Sequence, residues 1–320
     1  MSYSQSAFYP DVSVVIPTKN GGLLFLEVLQ KLKSQVYEGS IELLVVDSGS
    51  SDDTLKYAQQ YCSLVTSIPA ESFNHGETRN LGISLAKGEV IVLMTQDAVP
   101  ANSFLISKLV EGFSKAEHVG GVYARQIPRP EADVLTKRNL NSWLTGRTDL
   151  EVREWIGERA YSAMTPMEKY IFCNFDNVCA AITREAWQEV PFNVSNFGED
   201  IEWCLGALKR SWKIVYQPEA AVIHSHDRPI AYEYKRTYVC HRKLYALFYL
   251  VCIPTWRQVL RSLFSATMDD CFYVLFHEKD FREKIKLLLK VPALNIASVL
   301  GQYRGARDES QKRGKTFREV

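Results

Sequence analysis

Apolar runs and amphipathic stretches alternate along the first part of the chain. VSVVIP, Val12 to Pro17, is a short apolar run stopped by a proline, and IELLVVD, Ile41 to Asp47, is a second. Both have the length and composition of buried strands. Between them Leu23, Leu26, Leu29 and Leu32 recur every third residue and predict a helix. SGSSDDTLKYAQQY predicts the next helix, with Ser50, Ser51 and Asp52 available as N-caps. SLVTSI reads as a third strand. FNHGETRNLGISLAKGE reads as a helix, with Asn74 and Glu77 spaced as a capping box and Gly88 placed as a C′ residue. VIVLM and VGGVYA add further strands. This rhythm predicts an α/β fold with a mostly parallel sheet flanked by helices on both faces. Ligands of such sheets bind beyond the carboxyl ends of the strands. Pro17 with Thr18, Asp47 and Asp97 each fall at such an end.

The rhythm breaks between about residues 125 and 170, where RQIPRPEADVLTKRN is polar with two prolines and reads as a loop or mobile flap. FDNVCAAITREAWQEV restores a strand and a short helix. FGEDIEWCLGALKRSW follows as a helix, and KIVYQPEAAVIHSHD as paired short strands. From Pro229 onward the pattern is helical, and no internal repeat or low-complexity segment interrupts it.

Composition adds exclusions. A formal net charge of +1 over 320 residues argues against a general nucleic-acid binder, which needs an excess of Lys and Arg. Seven cysteines, an odd count without CxxC spacing, fit a reduced cytoplasmic chain. The N-terminus lacks the basic start and apolar core of a signal peptide. The longest apolar run, Leu244 to Pro254, is shorter than the ~20 residues of a membrane span. Only the last twenty residues have a composition that reads as disordered.

Acidic strand ends gathered at one sheet edge repel one another unless a cation or hydrogen-bond donors offset them. Asp97 in TQDA is either such a ligand-holding carboxylate or a helix N-cap or turn former. In VIHSHD, His224 and His226 share a face if the segment is a strand. A carboxylate with imidazole, completed by phosphate oxygens, suits Mg2+ or Mn2+. Both histidines could instead be ordinary core or surface residues. Asp47 can accept the N3–H of uracil or thymine; the same position with the following helix N-terminus could instead bind an anion or cap the turn. Arg79, in the first turn of its helix, either faces a diphosphate or lies at the surface. Acids in GED, Gly198 to Asp200, either complement a helix dipole or include a general base. Asp200 is the candidate base, with Glu199 and Glu202 nearby.

Taken together, VSVVIPTKN, ELLVVDSGSSDDT, HGETRNLGISLAKGEVIVLMTQDA, GED and HSHD resemble the inverting glycosyltransferases of family two, which have the Rossmann-like GT-A fold. The resemblance covers about residues 10 to 250 and is nearest to bacterial rhamnosyltransferases, whose usual donor is dTDP-L-rhamnose. It implies nucleotide contacts at Pro17, Thr18 and Asp47, a metal-binding acid at Asp97, a catalytic base at Asp200 and a further metal element at the His pair. The first acid of the usual DxD signature is replaced: Thr95 stands there and Gln96 precedes the acid. Thr95 and Gln96 can bond a ribose hydroxyl or a phosphate but add no charge, which leaves a metal-free mechanism open. Residues 1–235 are expected to form the catalytic domain, with a nucleotide half near 10–125 and an acceptor half near 165–235. Residues 236–320 are expected to form a C-terminal helical extension.

In that extension, aromatic and leucine residues alternate with Arg and Lys. Such helices either pack on the catalytic domain or a second subunit, or lie peripherally on the inner face of the plasma membrane. A lipid-linked glycan acceptor, as in O-antigen or capsule assembly, suits the second reading. Two alternatives stand beside L-rhamnose transfer. One keeps the reaction with UDP-galactose, UDP-N-acetylglucosamine or a dTDP-linked fucose as donor. The other is a non-catalytic nucleotide-sugar-binding subunit, against which GED argues.

Overall fold

The structure, a computed structural model, describes residues 9–195, 197–226 and 229–314. Its first strands are β1 (Val12–Thr18), β2 (Ile41–Asp47), β3 (Leu64–Ser67) and β4 (Val90–Met94), all parallel in the order β3-β2-β1-β4. Helices α1 (Gly22–Lys33), α2 (Thr54–Tyr61) and α3 (His75–Leu85) connect them. After β5 (Val99–Pro100), α4 (Leu105–Gly112) leads into β6 (Val119–Ile127). The next elements are α5 (Val134–Asn141), β7 (Glu151–Arg153), α6 (Glu158–Ala163) and α7 (Pro166–Phe172). Then come β8 (Cys179–Thr183), α8 (Arg184–Glu189), α9 (Glu199–Lys209) and β9 (Lys213–Ile223). Three long helices end the described chain: α10 (Ile230–Phe248), α11 (Trp256–His277) and α12 (Phe281–Lys312).

Beyond β4 the sheet continues β8-β6-β9-β5, with β7 also on β9. Here it becomes mixed, because β8 runs antiparallel to both β4 and β6 while β9 runs parallel to β6. The inversion of β8 positions the site. Its first residues lie beside the last residues of β4, with Cys179 opposite Met94, and Thr95 N–H donates to the Val178 carbonyl at 3.1 Å. The ends of β6 and β9 reach the same edge, Ile127 opposite Ile223.

Alternation along the strands covers both faces. Val12, Val14 and Ile16 join a buried cluster with Phe25, Val28 and Leu29 of α1 and Leu105, Ile106 and Leu109 of α4. Val15 points to the other face, against α3, where a side chain at Gly82 would come within 2.3 Å of it. In α1 the buried stripe is Phe25, Val28, Leu29 and Leu32, whereas Leu23 is exposed. A three-residue step falls about 60° short of a full turn, so leucines at that spacing drift off one face.

Other expectations are corrected. RQIPRPEADVLTKRN, expected to be a loop or flap, ends in α5 behind an N-cap at Asp133, and the rest of the stretch where the rhythm breaks carries β7, α6 and α7, the last behind a Thr165–Glu168 capping box. KIVYQPEAAVI is one strand: its pairing with β6 jumps from Gln217 to Ala221, so residues around Pro218 bulge out. Gly88 is not a C′ residue, since α3 ends at Leu85. A side chain there would meet Ser13 N at 2.6 Å. Asn74 does cap α3, accepting from the N–H groups of Gly76 and Glu77. The last twenty residues are helical as far as Lys312, and 315–320 lie outside the described residues.

By contact the chain forms two units. One runs to Ile127 and adds Leu144–Trp155 and Asn174–His224. The other holds Pro128–Trp143, Ile156–Cys173 and the chain from Ser225 onward. In the second, α12 lies against α10 so closely that a side chain at Gly305 would come within 2.3 Å of the Tyr238 carbonyl. Small residues allow that approach. Leu135, Val274, Leu287 and Val291 form a small core among α5, α11 and α12, and Arg138 of α5 pairs with Asp269 at 3.2 Å and with Asp270. α12 is, among the described residues, the one helix long and apolar enough to cross a membrane, although its apolar window is only 28% buried.

Candidate active site

Three parallel strands deliver the first group. At the end of β1, Thr18 Oγ1 donates to Gln96 Oε1 at 2.6 Å and the Lys19 N–H donates to the same oxygen at 2.8 Å. The Gln96 amide returns a bond to the Lys19 carbonyl at 3.1 Å, so this side chain ties the β1 and β4 ends together. Pro17 and Thr18 pair across β2 with Val46 and Asp47. Asp47 is buried; its Oδ2 accepts the N–H groups of Gly49 and Ser50, both at 3.0 Å, and its Oδ1 accepts the Ser50 hydroxyl. The turn-capping bonds are therefore present. None of Ser50, Ser51 and Asp52 is the N-cap of α2: Asp53 holds that position without a side-chain cap bond, Asp52 accepts the Thr54 N–H at 3.1 Å, and Ser50 is turned to Asp47.

The second group lies where β8 enters and α9 begins. Asn177 fastens the two: its N–H donates to Asp200 Oδ2 at 3.4 Å and its side-chain amide to Glu199 Oε1 at 3.2 Å. Arg79 Nη1 stands 2.9 Å from Glu199 Oε1, with both side chains almost fully buried. Neither expectation for Arg79, a surface residue or one facing a diphosphate, describes this buried ion pair. Glu202, in the same first turn of α9, is half-buried.

The two neighbouring acids are driven apart. Burial pushes the Glu199 carboxyl up, but Arg79, His75 and the Asn177 amide outweigh it and hold the group below the usual carboxylate range. Asp200 goes the other way. Burial, then the Glu199 and Asp176 charges, raise it well above the usual range. Glu199 is thus the settled anion, and Asp200 has the high proton affinity of a group that takes up a proton. Trp203, one turn further along α9, is buried against Phe175 with ring centroids 4.9 Å apart, which fixes the helix start against β8.

The third group is Asp97, His224 and His226, each offering one ligand atom, all within 4.8 Å of one another. The histidines do not alternate along a strand as expected: β9 ends at Ile223, and the His224 N–H donates to the Ile127 carbonyl at 2.9 Å. His224 Nε2 lies 3.6 Å from Asp97 Oδ1. One carboxylate oxygen and two imidazole nitrogens make a donor set suited to a borderline-hard divalent ion.

Three residues at this edge escaped the sequence reading: Asp176, Asn177 and Gln126. Gln126 Nε2 donates to Asp176 Oδ2 at 2.6 Å, and Gln126 Oε1 lies 2.9 Å from His224 Nδ1. Polar residues beside a strand are the available signal. FDN before CAAIT and a lone Gln at the end of VGGVYARQI carry it.

The model of glycosyl transferase family 2 matches residues 13–190. The O-antigen chain rhamnosyltransferase RfbN of Salmonella typhimurium is 30% identical over 229 residues, 70% of this chain and 69% of that one. WbaN of Salmonella anatum, another O-antigen chain rhamnosyltransferase, is 27% identical over 231 residues, 71% and 70% of the two chains. Among solved structures, the mannosyltransferase PcManGT of Pyrobaculum calidifontis, in complex with GDP-Man and Mn2+, superposes with a TM-score of 0.55 at 17% identity, over 96% of this chain and 76% of that one. Glucosyl-3-phosphoglycerate synthase of Mycobacterium tuberculosis gives 0.54 at 20% identity, over 75% and 81%. These likenesses establish the GT-A fold with its helical extension. The chain belongs to glycosyl transferase family 2 and is a glycosyltransferase.

Proposed function

We propose that this enzyme transfers L-rhamnose from dTDP-L-rhamnose to a glycan acceptor in cell-surface polysaccharide assembly, with inversion at the anomeric carbon. The observation that carries the reading is the arrival of Asp97 and Asp200 at one sheet edge, one at the end of β4 and the other bonded to the residues that lead into β8. The names of the Salmonella relatives support the sugar. Asp200 takes the proton of the acceptor hydroxyl as that oxygen attacks the anomeric carbon. The bond from this carbon to the diphosphate oxygen breaks on the opposite face, and its electron pair leaves with the nucleoside diphosphate. Glu199, held ionised by Arg79, keeps Asp200 proton-seeking. Asp97, His224 and His226 would hold Mn2+ or Mg2+, which supplies positive charge for the departing diphosphate. Thr18 and Gln96 brace the nucleotide end. Asp47 can read a base N3–H with the second lone pair of Oδ1, which already accepts the Ser50 hydroxyl, without losing its turn, because both backbone N–H bonds go to Oδ2.

A thermal-shift panel tests donor and metal together. At about 100 times Kd a bound donor adds about 2.7 kcal/mol to native stability, several degrees in Tm. dTDP-L-rhamnose with Mn2+ is expected to give that shift, UDP-galactose and UDP-N-acetylglucosamine a smaller one, and chelator to remove it. A larger shift with a UDP-sugar overturns the donor, and full transfer in chelator overturns the metal role of Asp97 and the histidines.

Features of the second unit support a lipid-linked acceptor. Trp256, Leu260, Phe264, Met268, Phe272 and Phe276 recur at every fourth position of α11 and are all exposed, a row that winds about 200° around the helix. Around α12, the exposed Phe281, Ile285, Leu289 and Ile296 fall within about 80° of one another. Arg257 and Arg261 stand beside the first row, Arg282 and Lys286 beside the second. Apolar rows with cationic flanks match an anionic lipid leaflet. We therefore place the enzyme peripherally at the cytoplasmic membrane face, acting on a lipid-linked glycan. The wild-type protein is expected to sediment with phosphatidylglycerol vesicles and not with phosphatidylcholine vesicles. Combining Phe264→Ser, Phe276→Ser, Phe281→Ser and Leu289→Ser is expected to abolish sedimentation. A protein that stays in the supernatant with both, or that hides this face in a dimer, overturns the placement.

A further inference from the structure

We infer that Gln126 is a positioning residue that sets the direction in which His224 presents its lone pair and ties that histidine to the carboxylates around Asp200. The inference rests on the cation site proposed above. Gln126 is buried at the end of β6, and its backbone N–H is taken by the Thr145 carbonyl at 2.8 Å. Its side chain spans two groups, with Nε2 on Asp176 Oδ2 at 2.6 Å and Oε1 on His224 Nδ1 at 2.9 Å. The chemistry of those neighbours fixes the amide. An ionised carboxylate only accepts, so the amide must present its N–H to Asp176. The carbonyl then faces His224, and Nδ1 must carry the hydrogen. In the neutral ring this leaves the lone pair on Nε2, the atom that faces Asp97 Oδ1 at 3.6 Å. Nε2 and Asp97 Oδ1 then both present lone pairs to the same side, the donor set a divalent cation takes.

Asp176 anchors the arrangement at its other end. Its Oδ1 accepts the Val178 N–H at 2.9 Å, so the carboxylate is fixed to the start of β8. Asp176 is also one of the charges that raise Asp200. One buried amide therefore connects a cation ligand with the neighbourhood of the base.

Mn2+ binding, followed by electron paramagnetic resonance of the free ion, tests this without turnover. Gln126→Met removes both bonds at similar volume and is expected to weaken Mn2+ binding about 10–100-fold, the usual effect of losing a ligand's outer partner. Gln126→Glu keeps an acceptor for Nδ1–H but sets a second carboxylate against Asp176. It is expected to hold Mn2+ within about threefold of the wild type and to lose kcat. In a His224→Ala background, Gln126→Met is expected to have no further effect on Mn2+. Equal Mn2+ binding by the wild type and Gln126→Met overturns the inference alone, as does an additive loss in the His224→Ala background. Equal losses from Gln126→Met and Gln126→Glu overturn it as well. No Mn2+ binding by the wild type overturns the cation site itself.

Discussion

Replacing Asp200 with Asn is expected to lower turnover by about 10²–10⁴-fold, to leave dTDP-L-rhamnose binding within a few-fold, and to raise the melting temperature. Stabilisation by a variant that loses activity follows from the crowding of Asp200 by Glu199 and Asp176 in a buried setting. Asn is nearly the same shape, keeps an acceptor for the Ile201 N–H now bonded at 2.8 Å while giving up only the long 3.4 Å bond from the Asn177 N–H, and carries no charge to repel the neighbours. The pH dependence has a definite sign. The native Asp200 carboxyl binds its proton more tightly than the unfolded one, so its contribution to stability is full below about pH 4 and is lost as pH rises through the native value. The gain from Asn is therefore expected to be absent near pH 4, to grow upward through that range and then to level off. Calorimetry at several pH values measures the gap. A variant that melts lower than the wild type at neutral pH contradicts the electrostatic account, and undiminished transfer contradicts the base assignment.

What the chain order made readable was the set of strand ends. Pro17, Thr18, Asp47 and Asp97 follow apolar runs whose parallel pairing is implied by alternation with helices, so their common edge could be inferred from local pattern. The histidine pair was found by spacing, although the reason given for their shared face, strand alternation, does not apply beyond Ile223. Gln126, Asp176 and Asn177 show only as polar residues beside strands, and their meeting could not be read from that. They meet because β8 enters the sheet antiparallel between β4 and β6, a pairing across large sequence separation that no local period records. The helices between residues 134 and 172 were missed because six to eight residues are too few to show a stripe. The caps of α5 and α7 were present in the sequence: Asp133, and Thr165-Pro166 followed by Glu168, a capping box with proline at the first helical position. Arg79 has no such signal. An arginine in a first helical turn looks the same whether its partner is a phosphate, water or a buried glutamate.

That partner sets the second large effect. Arg79→Met is expected to destabilise the enzyme by about 3–5 kcal/mol, because Glu199 is left buried without its countercharge. In the wild type, Arg79 and the other groups around Glu199 hold its pKa low, so the stability this contributes is present above the unfolded value and is lost as pH falls through the native one. Without Arg79, burial dominates and the sign reverses: the variant is expected to lose stability as pH rises above about 4. The gap between the two proteins should thus widen toward neutral pH and narrow in acid. Adding Glu199→Gln removes the orphaned charge, and the double variant is expected to recover most of the loss, because an uncharged amide can still face Asn177. Asp200 supplies an independent reading of the same pair. Arg79 is one of the groups that lower it, so any activity left in Arg79→Met is expected to have its acidic limb shifted to higher pH, and that limb should return toward lower pH in the double variant, where the Glu199 charge is gone. A double variant no more stable than Arg79→Met alone would show that the arginine holds α3 and α9 by packing rather than by charge.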